Sequence, residues 1–588
     1  MKKRILSLVL CTIMILTALI TPAVASDAVS TENLTEGTFQ CDWFSESLFY
    51  PYTYTDEWFC TDAYTYNHDI ATFALELSMA SFKAFDEEDC DGNIKKMYTE
   101  CGFETCSYGY DTAEYDSIGV SFGKKAMDVN GESFTLIALA IRSGNYGLEW
   151  GGNMRVGNGE THEGFEISKN TAIGYFNDYL SKNPVSGRVK LLIPGYSRGA
   201  SVANLLAASL DDESYKTQLG GEDNIAKLNV DRHDMYIYTF EAPQCTKSAS
   251  ASDAIYGNIF NVINPSDYVP KFPMTSWGFT VYGVKYYLPC AENTKNYDSY
   301  YERLCKTFDD MMDVNGKKSS SVFYSAEKTR SVNAMIDSVM TKIGEDDGIF
   351  KSQQYYAENY QDGVIFMAAN YMSRTLGVRD ILETFLVSAG ATAMGILPSN
   401  IRTIRNEGYI KYISARIAES GAGHGLTQKD CEYLFEFLFG TLDFVRNNKY
   451  DFRGLAKQLK TILSVHQPYV ELTWMKTISA DDMYNANIRQ QSDFSVMYDS
   501  LSVPYRATAA IALTGKYGSG VVKWSSDNEN AVSVDENGVV TAVGKGSALI
   551  TATLYDDIGN VITSSSSQVS VYMTFFQNIL YTLKNFKF

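Results

Sequence analysis

The sequence predicts an α/β core that carries a large helical insertion and is followed by an all-β sandwich, and three observations predict it. Short apolar runs bounded by Gly and Pro alternate with helical stretches up to about residue 300. Long amphipathic stretches with few β-branched runs replace them up to about residue 463. From about residue 500, short β-prone segments recur between Gly, Asn, Asp and Ser. An apolar run without polar alternation is what a strand buried on both faces requires, so the first pattern points to a mainly parallel sheet flanked by helices. Short alternating strands at close spacing are what a sandwich requires.

The elements follow in order. Lys2, Lys3 and Arg4 precede an uncharged apolar stretch from Ile5 to Ile20 and then Ala23-Val24-Ala25, the order of a signal peptide cleaved after residue 25, so the mature chain is expected to be secreted or held at the cell surface. Residues 26 to 50 read as polar and irregular, and Asp69 to Ala84 reads as a buried helix. The runs FTLIALAI (134–141), VKLLI (189–193), MYIYTF (235–240) and IFNVI (259–263) read as strands, with helices over Ile173–Ser181 and Ser201–Leu210; the core spans residues 26–300. In the helical region, residues 301–463, Ala357–Thr384 and Leu434–Val445 are amphipathic. Thr384–Ile401 is uncharged but broken by Gly390, Gly395, Pro398 and Asn400, which suits a buried helix pair and not a membrane span. Residues 464–499 return to the core. The runs VVKWSS, AVSVD, GVVTAV, ALITATLY and SQVSVY supply the sandwich, residues 500–572, and an aromatic tail with two Lys closes the chain at 573–588.

Composition excludes whole classes of function. Across 588 residues, 45% are hydrophobic and 20% charged, the balance of a globular protein, which leaves no room for wholesale disorder or a polytopic membrane protein. Lys plus Arg number 50 against 70 Asp plus Glu, a net charge of −20, and loss of the three basic residues of 1–25 makes it −23. A surface that acidic repels phosphate backbones, so no nucleic-acid partner is expected. Of ten Cys, Cys11 lies in the leader and the other nine show no paired C-x-x-C spacing, so no metal site is readable and no disulfide pairing follows.

The chemistry centres on Gly195-Tyr196-Ser197-Arg198-Gly199, which follows the run VKLLIP and opens the small-residue helix ASVANLLAASL. A serine on so sharp a strand-to-helix turn needs small residues two before and two after it, because a side chain at Gly195 or Gly199 collides with the crossing backbone. A serine hydroxyl is unreactive at neutral pH without an imidazole base and a carboxylate behind it. Of the five His, the chain order Ser, acid, His of α/β-hydrolases leaves His424 and His466. Asp267, just beyond a strand at the carboxyl end of the sheet, is the acid candidate.

Several segments together resemble the fungal-type, or class 3, lipases. Ile141-Arg142-Ser143-Gly144 is similar to their strand ending in R-G-T, and Glu149-Trp150 and His162-Glu163-Gly164-Phe165 resemble the W and H-x-G-F that follow. GYSRGASVA resembles G-H-S-x-G-G-x-x-A, Thr239-Phe240-Glu241-Ala242-Pro243 resembles T-F-G-A-P, Asp267 to Pro273 matches D-x-V-P-x-x-P, and His466-Gln467-Pro468-Tyr469 matches H-x-x-Y. The resemblance covers roughly residues 65 to 290 and a patch around His466. Tyr196, Arg198 and Glu241 depart from its His, Leu and Gly, and the stretch from Asp267 to His466 is longer than in the family. It implies an α/β-hydrolase that cleaves lipid esters, with Ser197 as nucleophile, Asp267 as acid and His466 as base, an oxyanion hole of backbone N–H groups from Arg198 and from Ser143 or Gly144, and no cofactor. His424, in the loop GAGHG, stays as the alternative base, and His162 reads as structural. Val521 to Tyr572 is similar to the bacterial Ig-like group 2 domain through W-x-S-S, A-x-V-x-x-x-G and G-x-a-x-I-T-A, which implies surface or carbohydrate contact. A phospholipase, a carbohydrate esterase or a catalytically inactive surface binding protein would fit the same motifs.

Overall fold

The computed structural model describes the chain over the spans 34–82, 90–321, 343–373, 407–435, 465–485 and 495–574, short intervals within them excepted, and at 577 and 581. The leader, Gly144, His424, Thr384–Ile401, nearly all of Leu434–Val445 and most of the tail lie outside the described residues.

Thr35–Trp43 (β1) and Glu46–Tyr54 (β2) form an antiparallel hairpin, with Thr35 opposite Tyr54 and Trp43 opposite Glu46. Over its described part, from residue 34, this corrects the irregular reading of residues 26 to 50. Phe39 and Cys41 on one strand and Leu48, Tyr50, Tyr52 and Tyr54 on the other are buried at every second position. That period of two is masked in the sequence by intervening Thr, Gly and Pro, which read singly as breakers.

The main sheet has eight strands: β3 (Glu104–Tyr108), β4 (Val120–Val129), β5 (Glu132–Ile141), β6 (Val189–Tyr196), β7 (Met235–Phe240), β8 (Ile259–Ile263), β9 (Val284–Tyr287) and β10 (Tyr484–Asn485), in that spatial order. β5 to β9 run parallel, and the antiparallel pairs are confined to the two ends. Four of the five parallel strands, β5 to β8, are the apolar runs expected from the sequence, and β9, with Lys285 and two Tyr, was not foreseen. β3 and β4 were not foreseen, because β4 mixes Lys124, Lys125 and Asp128 with its buried residues.

Alternation along β5 separates two cores. Leu136, Ala138 and Ala140 face the side covered by the hairpin and by helix α1 (His68–Ala80). Ile137, Leu139 and Ile141 face the side covered by α2 (Glu163–Lys182) and α3 (Arg198–Asp211). Each buried Leu, Ile or Phe contributes about 1.5–3 kcal/mol, so the sheet is locked from both faces. Helix α2 begins ten residues before the expected Ile173, because the buried His162 ring accepts from Phe165 N and caps it.

In the region expected to be helical, the described residues hold α4 (Tyr297–Met311), α5 (Gln353–Asn359), α6 (Gln361–Ser373) and α7 (Glu407–Gly421), the stretch from Ala357 being broken at Tyr360. The chain returns through α8 (Pro468–Thr477), whose Tyr469, Leu472 and Trp474 join the core on the α1 side. Among the described residues no helix is long and apolar enough to cross a membrane.

The C-terminal region is all β. β11 (Ser495–Val496), β12 (Ser500–Pro504), β13 (Thr508–Ala510), β14 (Leu513–Thr514), β15 (Val521–Ser526), β16 (Val532–Val534), β17 (Val539–Ala542), β18 (Ser547–Tyr555) and β19 (Val561–Tyr572) form a pair β11-β14, a four-stranded sheet β12-β19-β18-β15 and a three-stranded sheet β13-β17-β16. They enclose a core of their own that includes Val503, Val532, Val540, Ile550 and Val569.

Candidate active site

Strand β6 ends at Tyr196 and α3 opens at Arg198, which leaves Ser197 alone on the turn at φ 52 and ψ −125. A side chain other than Gly pays about 1–3 kcal/mol to sit there, and only firm surroundings keep it. Those surroundings explain the two glycines. A Cβ on Gly195 would lie 2.5 Å from the Gly199 carbonyl oxygen, and one on Gly199 would lie 2.5 Å from the carbonyl oxygen of Ile141. The end of β5 therefore runs directly beside the start of α3.

Ser197 Oγ lies 2.8 Å from His466 Nε2, and His466 Nδ1 lies 2.5 Å from Asp267 Oδ2. Asp267 is fully buried, and its Oδ1 accepts from Val269 N at 2.9 Å. An ionised carboxylate only accepts, so Nδ1 carries the imidazole proton and Nε2 is left to accept from the serine hydroxyl. His466 sits in the turn that leads into α8. The Tyr196 hydroxyl donates to the His466 carbonyl at 2.9 Å, and the two rings stack with centroids 5.4 Å apart. Of the two imidazoles left open by the sequence, His466 is the one beside Ser197, and His424 lies outside the described residues.

The other candidate positions divide. The Arg198 side chain turns inward and donates to Asn153 Oδ1 at 3.0 Å, to Ser168 Oγ at 2.6 Å and to the Ser117 carbonyl at 3.2 Å. Its backbone nitrogen belongs to the first turn of α3, where N–H groups lack intrahelical acceptors. Ser143 is buried just past β5, next to Arg142, which forms a fully buried ion pair with Glu149. His162 is fully buried and donates through Nε2 to the Asn153 carbonyl, and burial drives its pKa down to about 3. It is a neutral cap for α2 and stands apart from the serine. Among the described residues no cluster of three or more His, Cys, Asp or Glu side chains has the geometry of a metal site.

Sequence reasoning missed two carboxyl groups. Glu241, directly after β7, has a left-handed backbone (φ 50), and its Oε1 accepts from Asn264 N at 2.7 Å. Glu471, on α8, is equally buried. Burial raises the pKa of both, and for Glu241 the neighbouring charges of Glu471 and Asp267 add to the rise. Glu241 was legible only as a departure from T-F-G-A-P. Glu471 carried one weak signal, its place two residues after the Tyr of H-x-x-Y.

Residues 141–277 match the class 3 lipase family model. Residues 493–563 match the bacterial Ig-like domain (group 2). Solved structures similar to this chain include a triacylglycerol lipase whose catalytic centre is described as a serine protease triad, with 16% identity over 38% of this chain and 80% of that one and a TM-score of 0.26. The Rhizomucor miehei triacylglyceride lipase is 15% identical over 37% and 79% of the two chains, with a TM-score of 0.27. The lipase of Rhizopus microsporus var. chinensis is 15% identical over 40% and 76%, with a TM-score of 0.26. No curated protein matches the chain.

Proposed function

We propose that this protein is a secreted or surface-held serine hydrolase that cleaves carboxylic esters, with acylglycerols and related lipid esters as its substrate class. The observation that carries the reading is the unbroken run of contacts from Ser197 through His466 to Asp267, set on a strained turn that glycines alone permit. The match of residues 141–277 to the class 3 lipases supports the lipid ester as substrate. The mature chain divides, on this reading, into an α/β-hydrolase core (26–300 and 464–499), a helical insertion (301–463) at the substrate mouth and an Ig-like domain (500–572) that holds the enzyme to a surface.

Ser197 Oγ attacks the ester carbonyl carbon while His466 Nε2 takes its proton, and the buried Asp267 carboxylate stabilises the imidazolium that forms. Backbone N–H groups of Arg198 and of Ser143 or Gly144 receive the oxyanion. One such donor is worth on the order of 100-fold or more in rate. Collapse of the intermediate breaks the ester C–O bond, and His466 returns its proton to the departing alkoxide, which leaves as the alcohol. A water molecule, deprotonated by the same imidazole, then hydrolyses the acyl-enzyme and frees the carboxylic acid.

A fluorophosphonate probe with mass-spectrometric mapping of the modified peptide tests this. The expected result is labelling at Ser197, absent in Ser197→Ala and slowed about 1,000-fold or more in His466→Ala. Full labelling of His466→Ala would move the base to His424, and a wild type that never labels would sink the ester hydrolase in favour of a binding protein. A series of p-nitrophenyl esters of rising acyl length then separates a lipase from a short-chain esterase.

A further inference from the structure

Three buried carboxyl groups meet at Asp267, and only Asp267 has a place in the chemistry above. Glu241 grips the loop that carries it: Glu241 Oε1 accepts from Asn264 N at 2.7 Å, and the Asn264 carbonyl accepts from Asp267 N at 2.9 Å. The Glu241 backbone is itself pinned, its N–H donating to the Val262 carbonyl at 3.1 Å. Glu471 and Asp267 are its acidic neighbours, and both act on its carboxyl group to raise its pKa. Yet Glu241 Oε2 and Glu471 Oε1, both buried, have no donor facing them. Three ionised carboxylates offer acceptors only, and each orphaned buried oxygen has given up its water without a protein donor in exchange, before any charge repulsion is counted. A single proton removes the conflict, because a neutral acid donates to its neighbour. The groups around the cluster do not neutralise it otherwise. Tyr196 on the nucleophile strand is a phenol whose own pKa burial and these acids drive up, Tyr66 near Glu471 behaves alike, and His466 is already bound to Asp267.

We propose that Glu241 and Glu471 share a proton and brace Asp267, which makes them positioning residues for the His466 imidazole. The inference rests on the ester-hydrolase reading of Ser197 for its consequence, though the shared proton exists independently of it. With the proton in place, the Glu241–Glu471 pair carries one negative charge where two ionised acids would carry two, and Glu241 holds the Asp267 loop in register. Loss of that proton at alkaline pH turns the brace into a repulsion.

Two measurements on the full-length protein test the proposal. The first is infrared spectroscopy at neutral pH. A protonated-carboxyl C=O stretch is expected in the wild type and missing from the double variant Glu241→Gln/Glu471→Gln; identical spectra would overturn the shared proton. The second is the rate of fluorophosphonate labelling across pH. Glu241→Ala is expected to label about 10- to 100-fold more slowly than wild type, while Glu241→Gln stays within about threefold. The wild-type rate is expected to fall as pH rises above neutral, and the double Gln variant is expected to lose that fall. Where Glu241→Ala does not fold, this pH profile decides instead. An alkaline fall that persists in the double variant, or an Ala variant as fast as wild type, sinks the brace. A wild type that fails to label at Ser197 sinks the hydrolase reading alone, and the infrared band still decides the proton.

Discussion

The Tyr196 hydroxyl illustrates how much of this site is held by single atoms. It donates to the carbonyl of His466, the residue whose ring must meet Ser197 on one side and Asp267 on the other. Tyr196→Phe keeps the ring stack and removes that one bond, worth about 1 kcal/mol. The expected outcome is a loss of about three- to tenfold in kcat with KM unchanged, read with a p-nitrophenyl ester, and a near-normal unfolding midpoint. The proposed nucleophile makes an opposite case. Ser197 holds a left-handed backbone that glycine adopts freely, so Ser197→Gly is expected to be inert to fluorophosphonate yet more stable than wild type by roughly 1 kcal/mol, measured by urea unfolding. The residues proposed to react were legible because each sits in a motif with a steric or chemical cause: glycines around Ser197, a turn after a strand for Asp267. Tyr196, Glu241 and Glu471 were not, because a residue that acts through a neighbour leaves a trace only in three dimensions.

At the level of elements, the elbow between β6 and α3 depends on backbone-to-backbone approach. A methyl group at Gly195 meets the carbonyl of Gly199 and the Cα of Ala200, neither of which can rotate away. Gly195→Ala is therefore expected to destabilise the fold by several kcal/mol, on the order of 3, seen as a lower urea midpoint or a loss of soluble protein. A midpoint equal to wild type would mean that the elbow is looser than its geometry. The buried parallel strands were readable as apolar runs, since burial on both faces leaves no polar alternation. The hairpin β1–β2 and strand β4 escaped because half-exposed strands dilute their period with Lys, Thr and Pro, and α2 began early because its cap is a buried histidine, a residue type outside the usual capping set.

For the molecule as a whole, buried titratable groups set the pH range of stability. Burial raises Glu76, on α1 beside Lys476, to about 7, and raises Glu241 and Glu471 as well. Glu76 and the Glu241–Glu471 pair each hold a proton in the folded chain that the unfolded chain has released, so stability falls as pH rises from about 4.5, where unfolded glutamate titrates, through the folded values. His162, lowered to about 3, works the other way: the unfolded chain binds its proton below about 6.5 and the folded chain does not, so stability falls as pH drops through that window. The thermal midpoint is expected to peak in mildly acidic buffer. Glu76→Gln is expected to flatten the decline between about 4.5 and 7, a contribution on the order of 3 kcal/mol; an unchanged slope would show that Glu76 ionises freely. The division into an α/β core and a β-rich C-terminal region was readable from texture alone, whereas the return of the chain to the core through α8 was signalled only by the short patch around His466.

That late return has a consequence in time. Ser197 and His466 stand 269 positions apart, and α8, the helix that follows the imidazole, docks onto α1, early in the chain, and onto α4, in its middle. A ribosome that has finished the elbow has made a serine no more reactive than any other. On the proposed mechanism, every unfinished chain, and every chain cut before α8 has docked, is chemically silent. On the same proposal, the chain is harmless to the membrane of the cell that makes it until α8 has been synthesised and folded.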